Sequence, residues 1–256
     1  MLIFNSRKHP TQNVGCFFYK NEVSLPFKIK KLALILNIET ATKNCSVSIS
    51  ENGETIALKE LNDGNYSHAE KLHELIKQVV LEAGIELFNL NAVAVSKGPG
   101  SYTGLRIGVS AAKGLCFALD IPLISVNTLQ SLALSITIDK GYKISLLDAR
   151  RMEVYSQVFN NKTEKVREVY AEIITPDSFS DYLNDQKVYF FGDGAEKCKE
   201  MITHENAIFI DGKFPSSKEM SVISYEKYLK NDFEDVAYFE PFYLKEFIGG
   251  ISKKVV

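Results

Sequence analysis

The chain has 256 residues and only four cysteines, Cys16, Cys45, Cys116 and Cys198, with no CxxC pair among them. That spacing excludes the usual zinc and dithiol motifs and suits a reducing compartment, where scattered thiols act as small buried apolar groups. No apolar run approaches the roughly 18 residues of a membrane span, which excludes a membrane protein. The N-terminus lacks the apolar stretch of a secretory leader, because Arg7 and Lys8 are followed by polar residues. Histidine is scarce, and no Ser–His–Asp or Cys–His set can be assembled from the four present. No repeat of about 20–50 residues is visible. Cationic charge is short as well. The net charge is −2, and residues 1–33 hold Arg7, Lys8, Lys20, Lys28, Lys30 and Lys31 against Glu22, so the body carries about −7. Such a body does not grip nucleic acid unaided, since that requires clustered Lys and Arg to neutralise phosphates.

What is present belongs to an ordered globular protein: 45% hydrophobic and 24% charged residues, in a length that suits one large or two modest domains. Residues 1–32 show no period and read as an N-terminal extension, either poorly ordered or a basic arm. Leu32–Ile38 is an apolar run of strand length, Cys45–Ser50 alternates, and Asn52-Gly53 signals a hairpin returning through Glu54–Leu61. Ser67-His68-Ala69-Glu70 forms a capping box, followed by Leu72, Leu75, Ile76, Val79 and Ala83 at helical spacing and a stop at Gly84. A strand over Ala92–Ser96, a helix from about Thr103 to Leu119, a strand over Ile121–Val126 and a helix capped by Asn127 or Thr128 follow. Three antiparallel strands and then helix–strand–helix–strand is the order of a ribonuclease-H-like lobe. The second half restates it loosely, with strands at 143–147, 153–159 and 188–191 and helices near 176–184, 195–202 and 217–230. The expected architecture is α/β: two ribonuclease-H-like lobes, 33–135 and 136–246, with a tail over 247–256, in the layout of the actin-like ATPase and sugar-kinase superfamily.

The densest motif, Gly98-Pro99-Gly100-Ser101-Tyr102-Thr103-Gly104-Leu105-Arg106-Ile107-Gly108, links a strand to a helix. Gly98, Gly100, Ser101 and Thr103 form a candidate anion-binding turn, with tight packing as the alternative. The motif is neither a P-loop, for want of the Lys-Ser/Thr pair, nor a dinucleotide fingerprint. Gly104, Gly108, Ala111, Ala112 and Gly114 make the following helix rich in small residues, which calls for a close neighbour inside the lobe or on another molecule. His68 and His73 lie five apart, where rings diverge by about 140°, so a shared metal is not expected. Glu39 and Asp148 sit at strand ends. They suit ion pairs, for example with Arg106 or Arg150, better than a Mg²⁺ site.

These segments resemble the TsaB (YeaZ) family of bacterial tRNA threonylcarbamoyladenosine biosynthesis proteins. The resemblance runs from about residue 33 to 246 and is carried by 34–42, Ser67–Glu70, Gly98–Gly108, Asp148-Ala149-Arg150 with Glu153-Val154-Tyr155, and Pro241–Lys245. It implies a non-catalytic scaffold, cytoplasmic, without a metal or cofactor of its own beyond weak nucleotide binding at a complex interface. It also implies docking of the catalytic paralogue TsaD through a first-lobe helical face, with the ATPase TsaE joining, tRNA reached only through the complex, and a homodimer formed by the same face. On these residues that face is Ser67, His68, Leu72, Leu75, Ile76, Val79, Gly104, Gly108, Ala111 and Ala112. The paralogue's HxxxH metal pair is absent here, where the region reads His68-Ala69-Glu70-Lys71-Leu72-His73. The competing readings are an active phosphotransferase or ATPase that holds phosphates on Gly98–Ser101 and Gly192-Asp193-Gly194, and a nuclease that uses Glu39 and Asp148.

Overall fold

In the computed structural model, residues 33–62, 64 and 68–245 are described, which leaves the N-terminal extension, Ser67 and the 247–256 tail outside. The first strands are β1 (Leu34–Glu39), β2 (Cys45–Glu51) and β3 (Glu54–Leu61). Asn52 and Gly53 turn the hairpin with φ of 53° and 87°, the two left-handed positions that a two-residue hairpin needs. Then come α1 (His68–Glu82), β4 (Ala92–Gly98), α2 (Tyr102–Leu119), β5 (Leu123–Asn127) and α3 (Thr128–Ala133). Asn127 caps α3 by accepting the Gln130 N–H at 3.0 Å. The strands form one sheet in the order β3-β2-β1-β4-β5, with β1, β4 and β5 parallel.

The second half contributes β6 (Tyr142–Asp148), β7 (Glu153–Asn160), β8 (Lys165–Ile173), α4 (Ser180–Leu183), β9 (Val188–Phe191), α5 (Glu196–Lys199), β10 (Ala207–Ile210) and α6 (Ser217–Leu229). Its sheet runs β10-β9-β6-β7-β8, the same order as the first when each is read from its own first strand. The fold is therefore α/β with two ribonuclease-H-like sheets. Two strands, β8 and β10, are absent from the sequence reading. The helices expected near 176–184 and 195–202 shrink to four residues each.

The final helix departs from the expected lobe boundary. α6 follows the second sheet in sequence, yet its Met220, Ile223, Tyr225 and Tyr228 pack with Ala33, Ile35, Ala94, Ile124 and Val126 of the first. α3 makes the reciprocal move: Leu129 and Leu132 pack with Leu147, Phe159 and Phe191 of the second sheet. The other face of the first sheet is closed by α1 and α2 through Leu72, Leu75, Ile76, Val79, Val109, Ala112 and Cys116.

Candidate functional site

The glycine motif is first a packing device. Thr40, just beyond β1, donates its hydroxyl to the Gly104 carbonyl at 2.8 Å. A Cβ at Gly104 would overlap the Thr40 carbonyl, and one at Gly108 would overlap the Thr40 hydroxyl. Gly100 lies against Ala41, whose carbonyl accepts the Ser101 N–H at 2.6 Å. The Ser101 hydroxyl caps α2 by accepting the Gly104 N–H at 3.3 Å. Gly98, at φ 106°, sits under the Phe242 carbonyl and Leu105. In the turn Gly98, Gly100, Ser101 and Thr103, the first three are thus committed to the protein's own backbone and side chains. Thr103 is exposed.

The proposed partner face divides in the same way. Leu72, Leu75, Ile76, Val79, Gly104, Gly108 and Ala112 are buried in the chain's own core, so they shape the helices instead of meeting another molecule. His68 is buried too and donates from Nε2 to the Thr42 carbonyl at 2.7 Å. Ala111 is half-buried and faces outward with Gly114, the one glycine of α2 whose added Cβ would meet open space. Between α1 and α2 runs a groove of about 640 Å³, lined by Ala69 and His73 on one side and Thr103, Arg106, Ser110 and Ala111 among others on the second. Sequence reasoning missed Ala69, His73, Arg106 and Ser110. Their signal is positional: they flank the apolar stripe of each helix on the side facing the other helix. At one end the Arg106 guanidinium lies 4.6 Å from the Tyr102 ring centroid, and the Tyr102 and Tyr243 centroids are 4.8 Å apart. Near the other end of α2, Phe117 is 85% exposed.

The strand-end acids take other partners than the expected arginines. Glu39 is fully buried, and its Oε1 accepts the Ala41 N–H at 2.6 Å and the Ser96 hydroxyl at 2.8 Å. Its Oε2 has no hydrogen-bond partner among the described residues. Burial raises the carboxyl to about 7 against the opposing hydrogen bonds. Asp148 pairs with Lys197 instead of Arg106 or Arg150; from Arg150 it accepts the backbone N–H, at 2.9 Å, and not the guanidinium. Asp193 accepts the Asp148 N–H at 3.0 Å and is raised to about 6, mainly by burial. Added Cβ atoms at Gly192 and Gly194 would strike the backbone of Leu146 and Leu147, so these glycines also serve packing. Among the described residues no group of three or more His, Cys, Asp or Glu is placed to hold a metal, and no helix is long and apolar enough to cross a membrane.

With this geometry in view, residues 64–248 match the family described as TsaD: tRNA N6-adenosine threonylcarbamoyltransferase. The chain is 28% identical over 222 residues to the tRNA threonylcarbamoyladenosine biosynthesis protein TsaB of Haemophilus influenzae, covering 82% of this chain and 93% of that one. It is 30% identical over 198 residues to the TsaB of Buchnera aphidicola, covering 73% of this chain and 90% of that one. The solved YeaZ of Pseudomonas aeruginosa superposes with a TM-score of 0.68 at 22% identity, over 83% of this chain and all of that one. A duplicated strand order, two long helices flanking a groove and a glycine motif packed on the first strand thus come together with these matches, and the chain belongs to the TsaB (YeaZ) family, which the TsaD family description also spans.

Proposed function

We propose that this chain takes part in tRNA threonylcarbamoyladenosine biosynthesis as a non-catalytic scaffold subunit. On this reading it works in the cytoplasm, docks the catalytic paralogue TsaD and, with TsaE, reaches tRNA only inside the complex. Its halves, 33–135 and 136–246, act as two lobes braced by the exchange of α3 and α6. The observation that carries the reading is the α1–α2 groove. Its α2 wall has a small-residue strip (Ser110, Ala111, Gly114) bordered by Arg106, Ile107 and Leu115, and a partner helix can approach closely along that strip. The Arg106–Tyr102–Tyr243 stack supplies the aromatic and guanidinium anchor that dominates many interfaces. The same face serves self-pairing, so homodimer and TsaD complex exclude one another.

The test is Gly114→Leu. Gly114 has open space above it, so a larger side chain fits the isolated fold and obstructs only what docks there. The variant should keep its unfolding midpoint, yet bind purified TsaD at least about tenfold more weakly, a loss of ~1.4 kcal/mol, and pair with itself less. Unchanged association with TsaD and with itself would move the interface elsewhere. Modification of tRNA by the chain free of TsaD would overturn the non-catalytic assignment.

A further inference from the structure

A second cavity opens on the side of the first sheet away from the groove, at the carboxyl ends of β4 and β5. Here the connections diverge. α2 leaves β4 to join the α1 side, whereas α3 leaves β5 toward α6. In open α/β sheets such a divergence leaves a crevice outside the strand ends, where ligands bind. The crevice measures about 240 Å³ and is lined by Lys97, Asn127, Gln130, Lys227 and Lys230, over Val126 and Ile223.

Lys97 owes its place to a bulge. Ser96 pairs with Val126 and Gly98 with Asn127, so β4 spends one residue more than β5, and Lys97 is that residue. Bulges of this kind re-aim a side chain and are over-represented beside binding sites. Lys227 is already committed, donating to the Ser125 carbonyl at 2.9 Å and pairing with Asp232 at 3.2 Å. The Lys97 and Lys230 ammonium groups have no hydrogen-bond or ion-pair partner among the described residues. Glu226 and Asp232 are the carboxylates on the lining, so three ammonium groups face two acids. Glu234 lies deeper, held by the Ser125 hydroxyl at 2.5 Å.

We propose that this crevice binds a phosphate group, held by Lys97 and Lys230 with the Asn127 and Gln130 amides as further donors. The polar rim suits the phosphate, while the volume and the apolar floor leave room for the rest of a mononucleotide-sized ligand; a single-stranded RNA phosphate offers the same chemistry. The site is separate from the docking groove and does not depend on the reading of that groove.

The experiment is calorimetric titration of the full chain at low ionic strength with inorganic phosphate, AMP and a short single-stranded RNA. The wild type should bind at one site, and Lys97→Met/Lys230→Met should bind at least ~10-fold more weakly, with its unfolding midpoint unchanged. Binding of phosphate and AMP points to a small ligand, and binding of the oligonucleotide alone points to RNA as the source. If the double variant does not fold, acetylation of the wild type decides: phosphate should slow modification of Lys97 and Lys230 but not of exposed Lys162. No binding of any of the three probes, equal affinity in the folded variant, or uniform acetylation would overturn the proposal.

Discussion

The two sheets share a strand order but not a way of being covered. In the first half, helices of 15 and 18 residues, α1 and α2, lie across one face. In the second half the matching helices, α4 and α5, have four residues each. The second sheet fills its outer core with aromatic rings instead: Phe179 against Phe190 at 5.5 Å and Phe190 against Phe209 at 5.0 Å. Strand order is set by ladder pairing and short connections, which tolerate large changes in the covering layer. Only the long helices offer a broad regular surface, and the groove lies on that half. The exchange of α3 and α6 then makes each half depend on the other for burial.

The strongest test of that dependence is to open a cavity in each half. Phe190→Ala should cost about 3–5 kcal/mol and Leu72→Ala about 2–5 kcal/mol. Both variants should still unfold in a single urea transition, followed by circular dichroism. Two separated transitions would mean that the halves are independent.

A pH series sharpens the comparison, because Glu39 lies at the heart of the first half. Its folded carboxyl titrates near 7, above the ordinary 4.5, so folding favours the proton. Stability should therefore be full below about pH 4.5, fall as pH rises toward 7 and level off above, a change on the order of 3 kcal/mol. Glu39→Gln should remove the larger part of the slope in urea unfolding between about pH 5 and pH 8, leaving the smaller part that Asp193, raised to about 6, contributes with the same sign. A variant as pH-dependent as the wild type would assign the slope to other groups.

Two glycines on one helix give a finer contrast. Gly108→Ala drives a methyl group into Thr40 and should cost about 1–3 kcal/mol, read from the urea midpoint. Gly114→Ala meets nothing and should stabilise the isolated chain by about 0.5–1 kcal/mol through helix propensity. If the two shifts have the same sign, the helix is not oriented as described.

Much of the first half was legible because its signals are local. The apolar runs of β1 and β4, the Asn52-Gly53 hairpin, the Asn127 cap and the α1 stripe each lie within a few residues of what they specify. β8 was missed because Lys165–Ile173 is a mostly exposed edge strand with alternating charges, and β10 because four residues are too few for a period. The groove was half legible. Small residues on α2 were visible, but the same residue type serves opposite purposes on its two faces.

The sequence by itself determined the α/β class, the duplicated order and the family, because hydrophobic period, turn chemistry and a dense glycine motif are properties of short segments. Only the tertiary structure decided which residues face what. Gly104 and Gly108 turn inward because Thr40 approaches from a strand some 60 residues earlier. The serines of β2 alternate with apolar residues as on a solvated strand, yet Ser46, Ser48 and Ser50 are fully buried. Ser46 and Ser48 meet α6, where Ser46 bonds Ser217 at 2.7 Å, and Thr55 of neighbouring β3 bonds Ser221 at 2.8 Å; Ser50 accepts from Asn37 of β1 at 3.1 Å. Hydroxyls read as polar surface in a sequence. Whether they meet water or one another depends on which distant segment covers them, and that is settled only when the chain closes on itself.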